Sequence, residues 1–169
     1  LEALGAVLEL RDGYVHAAAP NGLRGADIAF PKVSVGATEN AMMAAALAKG
    51  GTRLRNAARE PEIVDLARCL RAMGARIEGA GGDTVEIEGV DRLHGATHRV
   101  IADRIELGTY MLAPAVAGGE AEFVGAERAL VASLIELLEG ADVAVEDTPR
   151  GLRVRRRDGG VRAMRVETA

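Results

Sequence analysis

The chain has 169 residues, 49% of them hydrophobic, but only two Phe, two Tyr and no Trp, so its core is built from Ala, Val, Leu and Ile in thin helices packed closely on strands. A net charge of −4 argues against a nucleic-acid surface. No apolar run of about 18 residues is present to span a membrane, and no basic-then-apolar leader opens the chain. A single cysteine excludes an internal disulfide framework and fits a reducing cytoplasm.

Leu1-Glu2-Ala3-Leu4-Gly5-Ala6 reads as the last turn of a helix already under way, so the chain is expected to be a fragment. An extended segment, Lys32 to Val35, then feeds a helix of strong helix formers through Ala41-Met42-Met43-Ala44-Ala45-Ala46. This run is apolar nearly all round, as in a buried helix. Backbone N–H groups at a helix N-terminus lack partners and carry partial positive charge, so Lys32 and Ser34 just before one form a plausible phosphate cradle. The segment is not a Walker loop, and on local evidence alone an ordinary strand-to-helix turn with Ser34 or Thr38 as N-cap is the better reading.

Next come a turn and short strand at Gly50 to Ala57, then a helix whose apolar stripe is Leu66, Cys69, Leu70 and Met73. Cys69 on that stripe reads as an inert core thiol. Glu60-Pro61-Glu62 with Asp65 reads as helix capping rather than an acid/base pair, since Pro suits the first helical position and acids suit the first turn. Gly74 stops the helix, and Thr84 to Glu88 alternates as a strand. His94 and His98 fall in a turn without a third ligand, so no metal site is read there. Arg99 to Ala102 is expected to be extended ahead of a helix that Pro114 kinks or shortens. A strand at Glu120 to Ala126, a helical stripe of Leu130, Leu134, Leu137 and Leu138, and a strand at Gly151 to Arg155 complete the chain. Arg153 with Arg155-Arg156-Arg157 has no interleaved aromatics and reads as a solvated strand face.

These elements repeat. Gly5-Ala6-Val7-Leu8-Glu9, Gly74-Ala75-Arg76-Ile77-Glu78 and Gly140-Ala141-Asp142-Val143 are versions of one phrase, their glycines 69 and then 66 residues apart. Ala46 to Ala57 likewise matches Ala115 to Ala126. The unit is helix, strand, helix, strand, strand, with a further strand ahead of the first helix. Its period is too long for common solenoids and suits a few units around a pseudo-symmetric axis, helices buried between sheets.

Phe30 to Met43, Asn56-Ala57-Ala58-Arg59-Glu60-Pro61-Glu62-Ile63-Val64-Asp65 and Asp103-Arg104-Ile105-Glu106-Leu107-Gly108-Thr109 together resemble the UDP-N-acetylglucosamine 1-carboxyvinyltransferases, a family of enolpyruvyl transferases. The resemblance implies an α/β (α+β) fold of inside-out barrel units. Residues 1–102 would be the end of one repeat plus one full unit of the domain that holds the catalytic loop and the UDP-sugar. Residues 103–169 would be a unit of the second domain, with Asp103 to Glu106 at the crossing as a hinge or interdomain ion pair. It further implies transfer of the enolpyruvyl group of phosphoenolpyruvate to the 3′-hydroxyl of UDP-N-acetylglucosamine by addition and then elimination of phosphate. That is the first committed step of peptidoglycan synthesis, and it needs no metal or organic cofactor. Carried over by position, Lys32, Val33, Ser34 and Val35 match the UDP-sugar-binding segment. The implied partners are those two small molecules and the remainder of the polypeptide, with no nucleic acid and no membrane. The family's catalytic cysteine loop, its Lys-Asn pair and its aspartate base have no counterpart in the chain, so it carries no catalytic residue and is expected to be inactive alone. The related 3-phosphoshikimate 1-carboxyvinyltransferases and a non-catalytic repeat module are the alternative readings.

Overall fold

The computed structural model describes residues 1–166, which are mixed α/β and fall into two compact units, Leu1–Val100 and a second beginning at Ile101. In the first unit, Glu2–Leu4 form a 3₁₀ turn ended by Gly5 at φ 90°. β1 (Val7–Arg11) then pairs antiparallel with β2 (Tyr14–Ala18). Asp12 and Gly13 between them both have positive φ, which suits the twist of a two-residue hairpin turn.

The main sheet of this unit has the order β3-β4-β6-β5. β3 (Asp27–Ala29) runs parallel to β4 (Gly51–Arg55), while β6 (Thr84–Glu88) is antiparallel to both β4 and β5 (Arg76–Glu78). Alternation sends Leu54, Ile77, Val85 and Ile87 to one face, each at most 2% exposed. There they meet Met42 and Ala45 of α1 (Val35–Ala45) and Ile63, Ala67 and Leu70 of α2 (Pro61–Ala72). Each such Leu, Ile or Met side chain contributes about 1.5–3 kcal/mol by leaving water. The other face carries charges joined across strands, Arg53 to Glu86 and Arg55 to Asp27. Thr52 also faces inward, 3% exposed, and its hydroxyl has no partner among the described residues. Beyond β6 the chain runs back along the helices without regular structure. The Val90 amide donates to the Ala46 carbonyl, the His94 amide to the Met73 carbonyl, and His98 Nε2 lies 3.0 Å from Asp65 Oδ1 on α2.

The second unit repeats this plan with α3 (Arg104–Ala117), β7 (Glu120–Val124), α4 (Ala132–Gly140, preceded by a 3₁₀ turn), β8 (Val143–Thr148) and β9 (Gly151–Arg156) in a sheet ordered β7-β9-β8. Its core is Met111, Ala115, Val131, Ile135, Leu138, Val143, Val145, Leu152 and Val154. Met42 and Met111, 69 residues apart, are both fully buried. Ile63, Ala67 and Leu70 on α2 match Val131 in the 3₁₀ turn and Ile135 and Leu138 on α4, each pair 68 residues apart.

Several sequence expectations change. Lys32 to Val35 is not a strand. Pro31 has no amide to offer a ladder, Ser34 is already a helix cap, and the strand ahead of α1 is β3 at Asp27–Ala29. Arg99 to Ala102 has no ladder partner and is irregular. The buried stripe of α2 is Ile63, Ala67 and Leu70, while Leu66, Cys69 and Met73 are only half-buried at its edge, so Cys69 is not a core thiol. Similarly Leu130, Leu134 and Leu137 flank rather than form the buried stripe at α4. Pro114 does not shorten α3, which continues to Ala117. At the third repeated glycine the left-handed residue is Asp142 (φ 64°), not Gly140. Finally, α1 is not covered all round. Met43 on α1 and Leu47 in the turn after it are 45% and 52% exposed, and their counterparts Leu112 and Val116 on α3 are 44% and 78% exposed. Among the described residues the sheets stay open and close no barrel.

Candidate functional site

The run from Phe30 to Thr38 turns from the end of β3 into the first turn of α1. Ser34 is the N-cap, extended at φ −151°, ψ 120°, and its hydroxyl oxygen accepts the Ala37 amide at 3.3 Å. The Ser34 carbonyl accepts both the Thr38 amide at 3.0 Å and the Thr38 hydroxyl at 2.8 Å. The Val35 and Gly36 amides precede any intrahelical acceptor, and no acidic residue lies in this turn. Around Gly36 there is open space within 4 Å of where a Cβ would stand. The helix start therefore presents free N–H groups and an uncompensated dipole end to solvent, an arrangement that attracts an oxyanion.

Of the four residues singled out from the sequence, Lys32 and Val33 are exposed, and Ser34 and Val35 are half-buried. Val35 packs against the core and so anchors the turn. The Lys32 ammonium has no carboxylate partner among the described residues. Residues 55–58 lie against this segment. The Phe30 amide donates to the Arg55 carbonyl, Asn56 Nδ2 donates to the Phe30 carbonyl at 2.9 Å, and the buried Ala58 amide donates to the Thr38 hydroxyl at 3.0 Å. Asn56 holds φ 55°, a left-handed conformation that Asn tolerates. Sequence reasoning treated Thr38 as a rival cap and left Asn56 without a role. Both show up when the repeat is read at an offset of 69 residues, because Leu107 and Gly125 occupy the equivalent positions.

The remaining candidates have other occupations. Pro61 is the first residue of α2, and Glu62 lies in its first turn. Asp65 is not part of that cap, because it is buried against His98. His94 Nδ1 sits 3.1 Å from the Gly95 carbonyl, so the two histidines have separate partners. Asp103 caps α3, its carboxylate accepting the Ile105 and Glu106 amides at 2.8 and 3.0 Å. Arg156 donates to the Val116 carbonyl at the far end of α3. Glu122, on the outer face of β7, accepts the Thr148 hydroxyl at 2.8 Å and pairs with Arg150, and these two contacts hold its carboxyl below the usual range.

The family described as EPSP synthase (3-phosphoshikimate 1-carboxyvinyltransferase) matches residues 1–169. The chain belongs to that family. Proteins named UDP-N-acetylglucosamine 1-carboxyvinyltransferase from Cereibacter sphaeroides, Ruegeria pomeroyi and Paracoccus denitrificans are 67%, 64% and 64% identical to it. Each match takes in 99% of the chain, which spans 40% of the length of these curated relatives. Among solved structures, the enolpyruvyl transferase NikO from Streptomyces tendae superposes with a TM-score of 0.66 at 24% identity, over 92% of this chain and 40% of that one. EPSP synthase from Acinetobacter baumannii gives 0.63 at 21% identity, over 92% and 37%. These two likenesses place the chain in the enolpyruvyl transferase fold. Among the described residues, no helix is long and apolar enough to cross a membrane.

Proposed function

We propose that the chain works as part of an enolpyruvyl transferase that moves the enolpyruvyl group of phosphoenolpyruvate onto the 3′-hydroxyl of UDP-N-acetylglucosamine and releases phosphate. The observation that carries this reading is the identity of 61–67% to relatives of that name, sustained over 99% or more of the chain. In this reading the substrate hydroxyl adds to the enol carbon of phosphoenolpyruvate, and elimination of phosphate restores the double bond. The reaction belongs to peptidoglycan synthesis in the cytoplasm and uses no metal or organic cofactor. Both substrates are anionic, so the protein's task is to hold two polyanions side by side. Lys32, Val33, Ser34 and Val35 bind the UDP-sugar. The free Val35 and Gly36 amides and the Ser34 hydroxyl receive diphosphate oxygens, and Lys32 adds charge. Residues 1–102 belong to the domain that carries the UDP-sugar and the catalytic loop, and residues 103–169 to its partner domain. The remainder of that polypeptide supplies the reacting groups.

The test is release of inorganic phosphate by the complete polypeptide that carries this chain, with phosphoenolpyruvate and UDP-N-acetylglucosamine supplied together. Turnover with 3-phosphoshikimate in place of the nucleotide sugar would refute the substrate assignment. For the site, Lys32→Ala and Ser34→Ala are expected to weaken UDP-N-acetylglucosamine binding in calorimetric titration. Unchanged affinity in both variants would refute it.

A further inference from the structure

We infer that Thr38 and Asn56 are positioning residues for the nucleotide-sugar site, a pair of clamps that lock residues 56–58 onto the segment that carries Ser34. The inference rests on the assignment of Lys32 to Val35 as that site. Thr38 is fully buried among apolar neighbours, where a hydroxyl costs stability unless both its donor and acceptor capacities are used. Both are used here, and on two different segments. It donates to the carbonyl of Ser34 and accepts the amide of Ala58. Asn56 closes the other side by donating to the carbonyl of Phe30, four residues before Ser34. The orientation of the Ser34 peptide, and so of the amides that follow it, is thereby fixed from outside the helix.

The second unit supplies the control. Counting 69 residues on, Ser34 meets Asp103, Thr38 meets Leu107 and Asn56 meets Gly125. Leu107 packs into the second core as an ordinary apolar residue, and Gly125 keeps the left-handed turn at φ 79° with no side chain to donate. The second unit thus starts a capped helix without either clamp, with the cap at φ −67° where Ser34 stands at φ −151°. Of these two helix starts, the one with both clamps is capped by a neutral hydroxyl, and the one without them carries a carboxylate.

In the complete enzyme, Thr38→Val keeps the shape and removes both hydrogen bonds. It is expected to raise KM for UDP-N-acetylglucosamine about tenfold, with kcat and KM for phosphoenolpyruvate within about twofold, the size expected for loss of one or two hydrogen bonds. Thr38→Ser should return KM to within about threefold of wild type. Asn56→Gly keeps the left-handed backbone and should raise the same KM about threefold. A Thr38→Val enzyme that loses only kcat or thermal stability, its KM unchanged, overturns the inference. Should that variant fail to fold, an unchanged KM in Asn56→Gly overturns it instead. If Lys32→Ala and Ser34→Ala raise KM while the clamp variants do not, only this inference falls. If none of the four moves it, the site assignment falls as well.

Discussion

Two helices that begin the same repeat are finished in opposite ways. α1 is capped by Ser34, whose neutral hydroxyl takes one amide and leaves the dipole end uncompensated. α3 is capped by Asp103, whose carboxylate takes two amides and brings a full negative charge to the same place. The buried methionine is shared, but the cap side chains differ, and so does the backbone at the cap, φ −151° at Ser34 against −67° at Asp103. A helix start with a carboxylate already on it has no further use for an oxyanion, whereas one capped by a hydroxyl does. Charge on the outer faces of the sheets is exchanged as well. The central residue of β4 is Arg53, paired with Glu86, and that of β7 is Glu122, beside Thr148 and Arg150.

The largest effect should come from making the first unit resemble the second at this point. Ser34→Asp in the complete enzyme is expected to weaken UDP-N-acetylglucosamine binding by about a hundredfold or more, since like charges at an interface cost several kcal/mol. Thermal stability should hold, because Asp and Ser cap equally well. Calorimetry and a melting curve on the same sample check both halves, and full binding by this variant would break the comparison. Next, Met42→Ala and Met111→Ala remove equivalent side chains from the two cores. Each should destabilise its unit by about 2–5 kcal/mol in urea titration. A loss confined to one of them would mean that the repeat is not energetically symmetric.

His98→Ala tests a contact that, among the described residues, has no counterpart in the second unit. It leaves the Asp65 carboxylate buried without its partner, so a loss of about 1–3 kcal/mol is expected, together with faster amide exchange at His94. In the second unit, Glu122 has a folded-state pKa below its unfolded one. Its contribution to stability is therefore present above the unfolded value of 4.5 and declines as pH falls through the lower folded value. Carboxyl carbon shifts followed by NMR should place the Glu122 titration below that of a free glutamate, and Thr148→Val should move it back. At the small end, Arg53→Ala should cost about 0.2–1 kcal/mol at most, because its ion pair is exposed on both sides.

Beyond the repeat and the family resemblance, what the sequence made legible was local. Pro61 as first helical residue and Gly74 as stop follow from the chemistry of one residue and its neighbours, and the structure has both; of the two caps the sequence offered, Ser34 or Thr38, it has Ser34. The motif from Lys32 to Val35 was visible as a run of residue types, but its being a turn into α1 rather than a strand depends on Pro31 and on β3 having already met β4. Pairings of that kind are set by distant residues. The alternation around Arg99 to Ala102 is compatible with a strand, yet a strand needs a neighbour, and the described residues supply none. The stripe on α2 was misplaced because Leu66, Cys69 and Met73 satisfy helical spacing as well as Ile63, Ala67 and Leu70 do. What separates the two stripes is which side the sheet lies on. Thr38 and Asn56 stayed silent because each makes its telling contact with a residue about 20 or more positions away.

The Thr52 hydroxyl, without a partner among the described residues, has a use outside the biology of the site. Its counterpart 69 residues on is Ala121, which fills the same place in the second sheet with no polar atom. The first unit therefore keeps a position where a substitution should raise the melting temperature. Thr52→Val retains the β-branched shape and removes a desolvated group, for a gain of about 1 kcal/mol. For anyone engineering a more durable version of this fold, that inward-facing position on β4 is the place to begin.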